Sequence, residues 1–121
     1  MSADNEHRLV SKVIKEREIT PVLHRGITDA WFLDDDNRRV WSFLRKHYSE
    51  YSEVPTVVTV KDHYPNYKIL DVEDSLDYLL DTMVEFRRRL LTRKGLEDAV
   101  EQLQENNHEA ALLAMEQTIS R

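Results

Sequence analysis

Apolar residues recur along this chain at steps of three and four, the spacing of one face of an α-helix. The first run, from Asp4 to about Arg17, carries Leu9, Val10, Val13 and Ile14, with Asp4 placed to cap it. A short helix is expected next, over Thr20 to Gly26. Thr20 can cap, Pro21 suits the first helical position, and Gly26 suits the left-handed residue that ends the turn. Thr28 then opens Asp29-Ala30-Trp31-Phe32-Leu33, an apolar segment of one or two turns. The run Asp34-Asp35-Asp36 supplies a cap and negative charge for a helix from about Asn37 to Tyr51. Val40, Trp41, Leu44 and Tyr48 share one face of that helix, with Phe43 and Tyr51 at its borders.

The segment Pro55 to Pro65 is rich in β-branched residues, which favour a strand. No second strand exists to pair with it, and Thr56 after a proline makes a good cap. The expectation is therefore a helix over 57–63, ended by Pro65. From Glu73 to about Gln104 the pattern runs without proline. Leu76, Leu79 or Leu80, Met83, Phe86 and Leu90 repeat at helical steps, and Leu96, Ala99, Val100 and Leu103 continue them. Gly95 lies inside this run, at the place for a bend. A further helix, His108 to Ile119, follows Glu105-Asn106-Asn107, with Asn107 as its cap and Ala111, Leu112, Met115 and Ile119 on its apolar face.

A continuous helix of about 31 residues is about 46 Å long. A compact domain of this size is only about 35 Å across, so the far end of such a helix has to project. The expected fold is all-α: a small helical globular bundle, residues 1–92, followed by a projecting C-terminal αα-hairpin, residues 93–121. Two short helices bury little on their own, and an exposed apolar stripe marks an interface.

Composition narrows the chemistry. The 121 residues include two glycines, three prolines and no cysteine. With only Gly26 and Gly95, neither a P-loop nor a dinucleotide-binding glycine motif can be written. Without cysteine there are no disulfides, thiol catalysis or cysteine zinc sites, which suits a reducing compartment. The N-terminus is acidic where a signal peptide is basic, and no apolar run approaches the length of about 18 residues that spans a bilayer. A cytoplasmic protein is expected, with no membrane partner.

The net charge of −6 disfavours a general grip on nucleic acid. Its distribution is uneven. Asp71, Glu73, Asp74, Asp77, Asp81 and Glu85 form an acidic run, Arg87, Arg88, Arg89, Arg93 and Lys94 a basic block, and Glu97, Asp98, Glu101 and Glu105 a second acidic run. A solvated helical face is the ordinary reading of the basic block. An acidic partner surface or a phosphate contact is the sharper one, although no aromatic residues interleave for base stacking.

No catalytic, cofactor or metal site is expected. His7, His24, His47, His63 and His108 are scattered, and Asp34-Asp35-Asp36 lacks the glycine and closing glutamate of a calcium loop. Ser49, Ser52 and Ser75 have no nucleophile-elbow framing. Trp31, Phe32, Trp41 and Phe43 read as core anchors rather than as a stacking platform.

The order of these features resembles the N-terminal domain of DnaB-family replicative helicases. The likeness runs from the amphipathic first helix through the Trp31-Phe32 pair to Asn37-Arg38-Arg39, which begins the helix carrying Val40-Trp41-Ser42-Phe43-Leu44. That stretch is similar to the family's His-Arg-x-Ile-Phe pattern. Pro55-Thr56-x-x-Thr59-Val60 resembles the segment before a short helix. Tyr78-Leu79-Leu80 with Phe86-Arg87-Arg88-Arg89-Leu90-Leu91 resembles the run into an Arg-Arg-x-Leu step. Pro65-Asn66-Tyr67, in place of a glycine-containing loop, points to a phage-type variant.

The resemblance implies a non-catalytic collar domain in DNA replication, placed ahead of a motor that would bind ATP and magnesium. Such domains pair through their hairpins, assemble as a trimer of dimers, and dock primase or a loader. The interface residues expected here are Leu96, Ala99, Val100, Leu103, Leu112, Met115 and Ile119. Arg87, Arg88, Arg89, Arg93 and Lys94 stand as the acidic-partner or phosphate contact, with direct DNA binding weak or absent. Arg121 then falls where a linker to a motor would begin. The alternatives are a free-standing helical adaptor, such as a helicase loader or regulator, and an unrelated helical dimerisation protein.

Overall fold

The computed structural model describes residues 2–105, and every regular element among them is helical. Helix α1 spans Ser2–Glu16, α2 Thr20–His24, α3 Asp35–Tyr51, α4 Val57–His63 and α5 Leu76–Glu105, with a 3-10 turn at Asp29–Trp31 between α2 and α3. The all-α expectation holds. The second arm of the expected hairpin, His108 to Ile119, lies outside the described residues. The chain divides into two units, 1–86 and 87–121, several residues ahead of the 92/93 boundary read from the sequence.

Local chemistry sets the helix ends. α1 begins at Ser2, so Asp4 sits in its first turn rather than at its cap, where its charge still favours the helix dipole. It stops at Arg17, which takes a left-handed φ of 54° without being glycine. The Arg17 guanidinium donates to the Val54 carbonyl from Nε (3.1 Å) and Nη2 (2.8 Å), which ties down that turn. In α2 the cap position belongs to Ile19, which offers no side-chain bond, and Thr20 falls inside the helix. Thr20 is therefore not the cap. Gly26, at φ 74°, ends this segment as its sequence position predicts.

At α3 the Asp34 carboxylate accepts the Asn37 amide at 3.0 Å, the capping bond expected of the aspartate run. The helix closes on Ser52 in the left-handed region, φ 59°. α4 forms where strand propensity competes with it. Thr56 Oγ1 accepts the Thr59 amide at 3.3 Å, and the helix ends at His63, just before Pro65. Its face is one-sided: Val60 is buried while Val57 and Val58 are exposed. Ser75 Oγ accepts the Tyr78 amide at 3.2 Å at the start of α5, which then continues through Gly95.

The core of the first unit joins Leu9, Val10, Val13 and Ile14 of α1 to Val40, Trp41 and Leu44 of α3, with Leu76, Leu79, Leu80 and Met83 of α5. Phe32 and Trp41 are fully buried and stack at 5.2 Å with their planes 20° apart, whereas Trp31 and Phe43 are only partly buried. Such a pair contributes about 1 kcal/mol beyond its buried area.

Residues 64–75 have no helix of their own and are held by side chains of older elements. Ser11 Oγ accepts the Leu70 amide at 3.0 Å, and Lys12 Nζ donates to the Val72 carbonyl at 2.9 Å. Lys61 Nζ donates to the carbonyls of Pro65 (3.1 Å) and Tyr67 (2.9 Å). The first acidic run also works here. Asp71 pairs with Lys15 at 3.0 Å, Asp81 with Arg25 at 2.8 Å, and Asp74 with Arg8.

Candidate functional site

Two places stand out, one in each unit. In the first unit a cleft of about 550 Å³ opens beside the N-terminal turns of α1 and α3 and the loop at 63–68. Ala3, Asp4 and His7 line it from α1, Asp36, Asn37 and Arg39 from α3, and Tyr64 to Lys68 from the loop.

Its floor is a polar network with named partners. Glu6 is 1% exposed, and its carboxylate accepts the amides of Leu33 (3.0 Å) and Asp34 (3.1 Å). Asn37 is 4% exposed; its Nδ2 donates to the Ala3 carbonyl at 3.1 Å, and its Oδ1 accepts the Tyr67 hydroxyl at 2.6 Å. Tyr67 packs its ring against His7 at 4.9 Å, and His7 Nε2 bonds to the Lys68 carbonyl.

Electrostatics follow from that placement. Burial pushes the Glu6 carboxyl above its ordinary range, and the Leu33 and Asp34 amides pull partly the other way. Burial also drives the Tyr67 phenol far upward, with the charges of Asp34, Glu6 and Asp36 adding to it. Tyr67 therefore stays protonated and stays a donor at any ordinary pH. The network fastens α1, α3 and the 64–75 segment to one another. Its hydrogen bonds are directed inward, to backbone and to each other, so it positions the cleft wall and presents no activated nucleophile.

Sequence reasoning passed over Glu6 and Asn37, yet both carry a signal. Glu6 falls in the same helical register as Val10 and Val13, and Asn37 in that of Val40, Trp41 and Leu44. A charged or amide residue at a position the periodicity reserves for apolar side chains is either an error of register or a buried hydrogen-bonding anchor. Here it is the second.

Two turns further along α3, Arg45 donates to Asp29 through Nε (3.0 Å) and Nη2 (2.8 Å), a bidentate fork closing the 3-10 turn onto the helix. That bond, ahead of the opposing effect of burial, holds the Asp29 carboxyl below its ordinary value. The Trp41 indole N–H lies toward the same carboxylate but is buried without a hydrogen bond of good geometry.

The second place is the distal part of α5. Leu96, Ala99, Val100 and Leu103 fall on successive turns of one continuous helix, and all are exposed. The three large side chains are 65%, 52% and 50% exposed, and Leu91 joins them at 52%. Leu112, Met115 and Ile119, expected on the same interface, lie outside the described residues. The basic block sits just before this row: Arg87 is half-buried, and Arg88, Arg89, Arg93 and Lys94 are exposed.

Among the described residues no group of three or more histidine, aspartate or glutamate side chains could hold a metal ion. None of the described helices is long and apolar enough to cross a membrane. No family model, curated protein or solved structure matches this chain.

Proposed function

We propose that the chain is a non-catalytic assembly module, a helical globule whose long helix carries a self-association surface. The observation that carries this reading is the row Leu96, Ala99, Val100 and Leu103, apolar and open to solvent over two turns of α5. Three large aliphatic side chains on one short stretch of helix lose solvent contact only by packing against another surface. Burying such a side chain fully is worth about 1.5–3 kcal/mol, so the row supplies part of the gain that a partner needs to offset the entropy of association.

Within that class the reading is a collar domain of a replicative DNA helicase, in a phage-type variant, which builds the ring and docks primase or a loader. Its support is the ordered likeness of motifs along nearly the whole chain, together with an all-helical element order that suits such a domain. In this reading ATP and magnesium belong to an attached motor, and Arg87, Arg88, Arg89, Arg93 and Lys94 face an acidic partner.

Two tests separate the parts. Light scattering at several concentrations is expected to show a dimer, or a multiple of dimers; a strict monomer at high micromolar concentration contradicts self-association. The reading frame beyond Arg121 is expected to encode a G-x-x-x-x-G-K-[ST] loop. A stop codon there would move the chain to the second class, a free-standing adaptor or loader.

A further inference from the structure

We propose that a ring-lined strip on α3 and α4 docks a proline-rich segment of a partner chain in the polyproline II conformation. The strip lies within residues 1–86 and does not depend on the row of α5.

Its members are Phe43, His47 and Tyr51, about one turn apart along α3, with His63 and Tyr64 at the end of α4. Phe43 is the hub. Its ring centroid lies 4.6 Å from that of His63, 5.6 Å from Tyr64 and 6.0 Å from His47, and His47 lies 4.6 Å from Tyr51. The sequence places Phe43 among the core anchors, but of those only Phe32 and Trp41 are fully buried. Phe43, His47 and Tyr64 are half-buried, His63 is exposed, and Tyr51 is 59% exposed. A single open ring is ordinary on a protein surface. Connected rings with apolar faces and polar edges have the composition of an interface centre.

Charge argues against a nucleic acid. On the same side of α3, Asp36 and Glu50 offset Arg39 and Lys46, and in α4 Asp62 offsets Lys61. A phosphate backbone needs an excess of cations beside its stacking rings, and these residues supply none, in a chain of net charge −6. The same balance selects neither an acidic nor a basic peptide.

Hydrogen bonding narrows the partner further. The Tyr51 and Tyr64 hydroxyls and the His47 ring carry no hydrogen bond among the described residues, so each has a donor to offer. The backbone carbonyls of Phe43 and His47 are taken up within α3, and no strand edge exists among the described residues. A proline-rich strand fits that inventory. Its prolines bring no N–H to satisfy, its carbonyls are unpaired, and its pyrrolidine rings pack on aromatic faces. Phe43 to Tyr51 spans about 12 Å along α3, the length of about four residues of polyproline II. His63 and Tyr64 also wall the cleft, which gives such a strand room to continue.

The probe is a fluorescein-labelled decaproline peptide, titrated with the whole chain and followed by anisotropy. A labelled Gly-Ser peptide and an oligodeoxythymidine of equal length run beside it. Saturable binding of decaproline alone is expected. Tyr51→Ala should weaken it several-fold. Tyr64→Phe, which keeps the ring and removes only the donor, should weaken it too, with the helical signal of both variants unchanged. A Val100→Asp/Leu103→Asp variant should bind the peptide as the parent does, whatever its oligomeric state, so failure here and failure of self-association are seen apart.

No saturable decaproline binding at high micromolar chain concentration would overturn the proposal. Equal binding of the Gly-Ser peptide, or decaproline binding that both ring variants leave untouched, would overturn it as well. Oligodeoxythymidine binding that Tyr51→Ala abolishes, without decaproline binding, would replace it with a base-stacking platform.

Discussion

Replacing Tyr67 by phenylalanine tests whether the cleft floor holds the first unit together. The substitution keeps the ring, which is 8% exposed and packs against His7 at 4.9 Å, and deletes only the hydroxyl. That hydroxyl donates at 2.6 Å to Asn37 Oδ1, on a side chain only 4% exposed. An acceptor left unpaired in such a place costs about 1–3 kcal/mol, and the apolar area buried hardly changes. With about 2 kcal/mol as the middle of that range, the melting temperature should fall by about 8–16 °C for a unit of this size. The assay is urea unfolding followed by tryptophan fluorescence (Trp31 and Trp41), in which the midpoint should move while the denaturant slope stays the same. Asn37→Leu removes the stranded acceptor, so the double variant should lose less than the two single losses added together, by about 1 kcal/mol. A Tyr67→Phe loss below about 0.5 kcal/mol, or strict additivity with Asn37→Leu, would refute the view that this bond anchors the fold.

Two carboxyl groups should respond to pH with opposite sign. The folded Glu6 carboxyl sits above its ordinary value of 4.5, so the folded state binds that proton more tightly than the unfolded chain does. Its contribution is therefore fully present below 4.5 and lost as pH rises through the folded value. The stability advantage of the parent over Glu6→Gln should shrink across that window, and a growing advantage would contradict the burial argument. Asp29 is the reverse: its folded value lies below 3.8, so its contribution is present above 3.8 and lost as pH falls through the folded value. Asp29→Asn should cost less than about 1 kcal/mol at neutral pH, because the pair with Arg45 is more than a third exposed on the Arg45 side. The cost should vanish in strong acid, which chemical denaturation at a series of pH values would show.

What the sequence revealed depended on whether the signal was local. α4 was legible because Thr56 and Pro65 bracket it and because a lone strand has no partner, and both arguments use neighbouring residues only. Asp34 as a cap and Gly26 as a left-handed terminator are equally local. The misassigned caps fail for the same reason in reverse. Asp4 and Thr20 have the right chemistry, but α1 starts two residues before Asp4, and Ile19 holds the α2 cap position without any side-chain bond. Arg17 ends α1 in a conformation that glycine usually takes, and its guanidinium reaches Val54, a partner no pattern could name. The 64–75 segment was silent because it is held by Ser11 and Lys12, about sixty residues earlier.

The site divides along the same line. The exposed row on α5 follows directly from helical periodicity, since Leu96, Ala99, Val100 and Leu103 recur at helical steps and no other element among the described residues covers them. The first-unit cleft does not, because it is made where α1, α3 and the 63–68 loop converge. Glu6 and Asn37 could have been flagged as polar residues in apolar register, but their partners are backbone amides and a carbonyl, which every residue carries, and the Tyr67 hydroxyl, which lies far along the chain.

Sedimentation equilibrium of the full chain, beside a Val100→Asp/Leu103→Asp double variant, tests the central claim most directly. Both positions are about half exposed, so the charges should leave the helical signal and the first unit's unfolding unchanged. The account predicts a dimer, or a multiple of dimers, for the parent chain and a folded monomer for the variant. A parent chain that sediments as a monomer at high micromolar concentration would contradict it, and so would a variant that associates as tightly as its parent.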